Sequence, residues 1–424
     1  MESVKPNSKL MALSAAAAAL QGVSGQASAA APTEATLSYR YTNYSESAID
    51  ADLVASGHAG RYDIKVNQFS ALMPVAGKWA FAISLQDETL SGASPWHNVP
   101  APADNDQVDF SRPQAVMSGA TPGYEDGNLV GIEEHRTDGS FGATYYYDGG
   151  SISSNFAFST EDDYDSYSGG LSLEKEFDKK QTVVAAGVSY SDDSIFYEDA
   201  NRVIKKNESH LLPDDAGKTN TSGFISISRI LGPNNIILGG VSFSAKEGHL
   251  SDAYKKYDKR PSERDAFTVN LSYRHYVKAM QGAWHFDYRY YDDNWGVSSS
   301  TFSVALYKNW EKLQFVPSFR YYGQSAASFY DVFAMYRKDG IAAEQNDGAA
   351  YAKWEYFADD ARLSDFGAMT VGFKVVFKQR PVDWVLGLEY YLADKEFLPG
   401  NSDQLSPPGL IEYTRFTFGV DHKF

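Results

Sequence analysis

The chain has 424 residues, 55 of them Asp or Glu and 38 Lys or Arg, for a formal net charge of −17. So acidic a balance argues against nucleic acid as a partner, and the absence of cysteine excludes disulfides, thiolate metal sites and haem attachment. Aromatic residues make up 14%, more than a secreted enzyme needs and in keeping with girdles at a membrane interface.

In chain order, residues 1–29 read as an export signal. Lys5 and Lys9 supply charge, Leu10 to Leu20 is a short apolar run, and Ala27-Ser28-Ala29 offers small residues for cleavage. A mature chain of residues 30–424 would carry a net charge of −18 once Glu2, Lys5 and Lys9 are removed. Nothing downstream approaches the roughly 18 uninterrupted apolar residues of a transmembrane helix, so an exported chain is either soluble or inserted as a barrel.

Period-two alternation decides for the barrel. It runs through residues 36–44, 61–72, 78–87, 133–147, 151–161, 166–177, 181–191, 221–230 and 235–244, and resumes at 266–278, 283–292, 297–310, 312–322, 362–377, 383–393 and 411–424. The expected fold is therefore all-β: one closed antiparallel up-and-down transmembrane β-barrel of about 16 strands. Short joins near 148–150, 179–180, 232–234, 280–282, 309–312 and 379–382 suit periplasmic turns. Long joins near 88–132, 192–220, 245–265, 324–361 and 394–410 suit outward loops. Tyr351 to Phe357 looks strand-like, but counting it would put the chain end outside, so it is assigned to an outward loop. In the final segment Phe416, Phe418, Val420 and Phe424 alternate with Arg415, Thr417, Gly419, Asp421 and Lys423. Phe416, Phe418 and Phe424 are the expected signal to a barrel-assembly machinery.

The pleat assigns faces, because side chains i, i+2 and i+4 share a side. Trp79, Phe81, Ile83, Leu85, Phe267, Leu271, Phe302, Val304, Trp384, Leu386, Leu388 and Tyr390 are expected outward, towards outer-membrane lipid and lipopolysaccharide. Arg40, Asp63, Lys65, Glu174, Glu176, Arg274, Lys278, Asp287, Arg289, Arg320, Lys374, Glu389 and Arg415 are expected inward, since basic residues at the bilayer midplane cost about 2–4 kcal/mol each. Of these, Arg40, Lys65, Arg274, Asp287, Arg289, Arg320, Lys374, Glu389 and Arg415 are the candidate pore residues. They either set a transverse field that selects solutes or pair and fill the lumen. Asp292-Asp293-Asn294-Trp295-Gly296 reads as a tight outward hairpin, with Trp295 free to anchor at the membrane interface. Ser325 to Tyr330 opens a long loop whose small residues let it fold back into the mouth.

No catalytic constellation emerges. The eight histidines (His58, His97, His135, His210, His249, His275, His285, His422) lie in no nucleophile elbow, and His275 and His285 point to opposite sides of their strands. The acidic clusters Glu161-Asp162-Asp163-Tyr164-Asp165, Asp192-Asp193 and Glu198-Asp199 are solvated loops, or share a divalent cation with lipopolysaccharide phosphates. Neither a metal site nor a cofactor is expected.

Tyr288 to Trp310 (YRYYDDNWGVSSSTFSVALYKNW), Arg320 to Tyr330 (RYYGQSAASFY), Ala361 to Gly372 (ARLSDFGAMTVG) and Glu389-Tyr390-Tyr391 carry a family resemblance. They resemble the uncharacterised bacterial outer-membrane β-barrel family defined by domain of unknown function 3570, over about Thr36 to Phe424. The resemblance implies a Gram-negative outer-membrane barrel without an assigned activity. The family's association with a small lipoprotein and a flavin transferase implies a possible periplasmic or lipoprotein partner. Three functions are expected in descending order: a porin-like channel with a charged lumen, a scaffold or sheath around an envelope partner, and, remotely, an outer-membrane enzyme.

Overall fold

The structure is a computed structural model. It describes the chain except residues 1–30, 57–58, 93–95, 99–114, 117–122, 126–127, 131, 163, 196–215, 253–257, 333–354 and 400–408. The export signal, His58, His210, Asp163, Glu198-Asp199 and most of Tyr351 to Phe357 lie outside the described residues.

Sixteen strands form one closed antiparallel barrel in which each pairs with its chain neighbours. They are β1 (Thr36–Glu46), β2 (Asp63–Val75), β3 (Trp79–Gly92), β4 (Ile132–Tyr147), β5 (Gly150–Thr160), β6 (Tyr164–Phe177), β7 (Thr182–Ile195) and β8 (Ala216–Gly232). Then follow β9 (Asn235–Gly248), β10 (Glu263–Val277), β11 (Gly282–Asp293), β12 (Ser298–Trp310), β13 (Leu313–Gln324), β14 (Phe366–Gln379), β15 (Val382–Asp394) and β16 (Glu412–Lys423). β1 closes on β16 in register Arg40 to Gly419, and Ala35 and Phe424 exchange both main-chain hydrogen bonds at 3.0 and 3.1 Å. Closure leaves no unpaired edge, the condition for a sheet to stand in lipid. Among the described residues no helix is long and apolar enough to cross a membrane.

All sixteen expected strands are present, but several run on into segments assigned to loops, among them Glu88 to Gly92 of β3 and Ala245 to Gly248 of β9. β7 and β8 run on through Asp192-Asp193 and Ala216 to Asn220, residues assigned to a loop from their polarity. Beyond the lipid, alternation is no longer required, yet main-chain pairing continues. Residues 361–363 are a 3-10 turn rather than the start of β14, because Asp360 accepts a hydrogen bond from the Arg362 N–H at 3.0 Å and caps it. Phe357–Ala358 pairs with Asp258–Lys259 in a separate two-stranded sheet, outside the barrel.

Directly opposed residues share a face, so the register carries one assignment around the cylinder. Leu386, Leu388, Leu171, Val188, Ile225, Phe243 and Leu271 are all exposed and lie on one face, which is the outside. Trp79, Trp310 and Trp384 sit at the turn end of their strands, where Trp79 packs on Tyr145 at 4.9 Å and Trp384 on Phe418 at 6.0 Å. These rings form a girdle over an aliphatic band.

Val188 is 64% exposed at the middle of β7, with inward Ser189 beside it. Val188→Arg is expected to lower folding stability in bilayers by about 2–4 kcal/mol. Ser189→Arg should be tolerated far better. Urea titration of tryptophan fluorescence in lipid vesicles checks the pair, and equal effects would reject the face assignment.

Candidate functional site

By register, Arg40, Glu174, Glu176, Arg274, Asp287, Arg289, Arg320, Lys374, Glu389 and Arg415 face the barrel interior. Phe416, Phe418 and Phe424 lie on the outer face. Lys278 stands in the turn after β10, not in the barrel wall. Two assignments are corrected: Asp63 and Lys65 share the parity of exposed Phe69 and Met73 and point outward. The apolar phase of β2 inverts near Gln68. Ile64 is buried facing inward, while Lys65, third residue from the loop end, reaches out at the rim where lipid headgroups begin.

The interior is lopsided. From β5 to β9 the inward positions are mostly Ser, Gly, Ala and Asn, tied across strands by bonds such as Ser189 to Ser222 at 2.6 Å and Ser244 to Asn220 at 2.8 Å. From β10 round to β1 they carry Arg, Lys, Asp, Glu and Tyr. There Arg40 forks onto both oxygens of Asp421 at 2.7 and 2.8 Å, and it lies across Gly419, where a Cβ would come within 2.5 Å of it. Arg274 meets Asp287 at 2.7 Å, Arg415 meets Glu389, and Lys423 meets Asp383 at 2.7 Å.

Those pairs leave a remainder. Among the described residues, Arg289, Arg320 and Lys374 face inward with no carboxylate within salt-bridge distance. Lys374 instead lies 5.6 Å from the Tyr307 ring, which stacks on His285 at 4.1 Å. Above these cations runs a row of tyrosines. Tyr44 meets Tyr413 at 4.5 Å, Tyr413 stacks on Tyr391 at 4.7 Å, and Tyr322 packs on Phe366 at 5.7 Å. The tyrosines were missed in the sequence reading although the signal was there: Tyr322, Tyr391 and Tyr413 each stand two residues from an inward charge.

A second cluster caps the loop end. Asp293 takes the Trp295 and Val297 N–H groups at 3.0 Å each, the Tyr291 hydroxyl at 2.7 Å and Arg264 at 2.6 Å. Gly296, with φ of 88°, completes the hairpin as expected. Trp295, however, does not anchor in the membrane. It is buried under Arg264 at 4.4 Å and against Phe329 at 5.2 Å, its N–H donates to the Glu263 carbonyl, and it joins Val297, Ala327, Ala358 and Leu363 in a small apolar core. The segment from Ser325 folds onto this hairpin, with the Ser325 hydroxyl bonded to the Ser298 N–H and the Gly296 carbonyl.

Beside that core, Arg260 bridges Asp258 at 2.8 Å and Asp360 at 3.0 Å, and Arg362 bridges Asp360 at 2.5 Å and Asp252 at 3.1 Å. Burial pulls the Arg260 guanidinium down, but Asp258 and Asp360 outweigh it and hold it above its ordinary value. Burial, reinforced by Lys218, pulls the His249 imidazole below its ordinary value. Three further carboxylates are engaged: Arg136 meets Glu88 at 2.8 Å and Asp138 at 3.1 Å, and Asp193 accepts from Ser166 at 2.7 Å. Among the described residues no three His, Asp or Glu side chains gather in a way that could hold a metal ion.

A closed sixteen-strand cylinder, greasy outside and charged within, is a membrane-spanning β-barrel of the outer-membrane type. The family model described as Protein of unknown function (DUF3570) matches residues 10–419, and the chain belongs to that family. Comparison with curated proteins gave no match. Among solved structures the chain is similar to a bacterial polysaccharide outer membrane secretin, at 8% identity and a TM-score of 0.46, over 92% of this chain and 98% of that one. It is also similar to a BenF-like porin from Pseudomonas fluorescens Pf-5, at 8% identity and a TM-score of 0.42, with the same coverage of both chains. At such values these are likenesses of chain path and no more.

Two outcomes test the cap. Asp360→Ala leaves Arg260 without one of its two carboxylates, and local stability should fall by about 3–5 kcal/mol. Trypsin should then cut after Lys259 and Arg362 while the barrel keeps its heat-modifiable mobility in electrophoresis. The depressed His249 means the released segment binds a proton more readily than the packed one. Cap stability is therefore full above about pH 6.5 and declines as pH falls below it. Hydrogen exchange at residues 249–252, corrected for intrinsic rate, should show this decline, and His249→Gln should flatten it.

Proposed function

We propose that this protein is a passive channel of the bacterial outer membrane, delivered by an export signal at residues 1–29. The supporting observation is that Arg320 and Arg415 face inward by register and are nevertheless solvent-exposed, Arg415 with 45% of its side chain accessible. A lumen filled by paired side chains leaves no room for that. Sixteen strands also fall in the range in which barrels enclose water. Inward cations without carboxylate partners, Arg289, Arg320 and Lys374 among them, give the enclosed water a net local field, which orients and sorts solutes.

The test is planar-bilayer recording of the refolded protein. Stepwise conductance on insertion is expected, and its absence from correctly folded protein would reject the channel. Mass spectrometry after gentle detergent extraction adds a second readout. A lone barrel or a homotrimer agrees with a channel, whereas a stoichiometric companion from the envelope favours the sheath reading.

A further inference from the structure

We propose that Arg289 and Arg320 together form a binding station for small organic carboxylates on the inner wall of β11 to β13. The inference rests on the channel reading only for how the ligand gets there. Arg289 lies opposite Asn270 and Thr301, and Arg320 opposite Ser303 and Thr370, so every cross-strand neighbour is neutral. Asp287 is the nearest inward carboxylate along β11. Its Oδ1 already accepts Arg274 at 2.7 Å and Ser272 at 2.6 Å. The Tyr291 hydroxyl goes to Asp293 at 2.7 Å and the Tyr322 hydroxyl to Gln324 at 2.6 Å, so neither tyrosine offers its polar end to the two guanidiniums.

Arg320 lies two residues before Tyr322 on one face of β13, and Thr301 joins Arg289 to Tyr322 across β12. The two arginines therefore stand two strands apart on one stretch of wall, Arg289 in the row of Tyr322 and Arg320 in the row of Thr370, Tyr391 and Tyr413. A guanidinium fork matches a carboxylate with two parallel N–H···O bonds, which a point charge cannot do. The tyrosine faces suit the carbon skeleton of an organic acid, and inorganic anions have no such part. Lys374 lies further towards the turn end on β14, and the Arg415–Glu389 pair between them is already neutral. A carboxylate leaving the station thus meets a second cation on its way along the same wall.

Isothermal titration with succinate on the detergent-folded full chain tests the station itself. Succinate should bind, and the R289Q/R320Q double variant should bind at least tenfold more weakly. Lys65→Gln, on the outer face, should bind as the parent does. Circular dichroism and heat-modifiable mobility confirm that each variant is folded. If a folded double variant binds succinate unchanged, or if inorganic phosphate binds the parent as tightly as succinate does, the station is wrong. Bilayer recording under a potassium chloride gradient then separates the two claims. Anion-directed reversal potentials that R289Q/R320Q shifts towards zero support both. Conductance with cation preference overturns the station and leaves a channel. A silent bilayer removes the channel, and the titration still decides the station.

Discussion

A peptide group inside lipid has no water to bond with, and each one left unmatched costs several kcal/mol. The rest of the molecule depends on this constraint. Because the sheet closes from β1 to β16, main-chain groups along the embedded strands find partners in neighbouring strands. The pleat then decides chemistry position by position, with alternate side chains meeting acyl tails or the enclosed interior. The exposed aliphatic band and the inward arginines are two consequences of one alternation.

The same constraint explains what could be read in advance. Sixteen strands were legible because lipid on one face and polar surroundings on the other impose period two wherever the chain crosses. Legibility stopped where that pressure stops. Asp192-Asp193 and Ala216 to Asn220 carry small or polar residues on both faces, so nothing in their composition announces that pairing continues. Lys65 was misplaced for a related reason. Near the rim Ile64 and Val66 carry the apolar phase inward, and only the continuous pleat through Phe69 and Met73 reveals the inversion.

The inner wall was half legible. Parity placed Arg40, Arg274, Arg289, Arg320, Lys374, Glu389 and Arg415 inside, but which charges neutralise one another depends on cross-strand register. Glu389 opposes Arg415 directly, whereas Arg274 reaches Asp287 on the diagonal and Arg40 reaches Asp421 across Gly419. No local pattern reports those choices. Trp295 is a similar case. Its turn chemistry was readable from Asp293 and Gly296, but its burial needed Arg264, Phe329 and Leu363, distant in sequence and brought together only by the fold.

The extension of the strands past the apolar band has a consequence for how such a chain can diverge. Strands of up to 17 residues exceed the 9–11 needed to cross at a tilt, so the surplus stands clear of the bilayer as a hydrogen-bonded rim. Insertions in the crown of loops end on that rim and do not reach the embedded cylinder. Selection can therefore rewrite the loop crown while the inserted part stays constant.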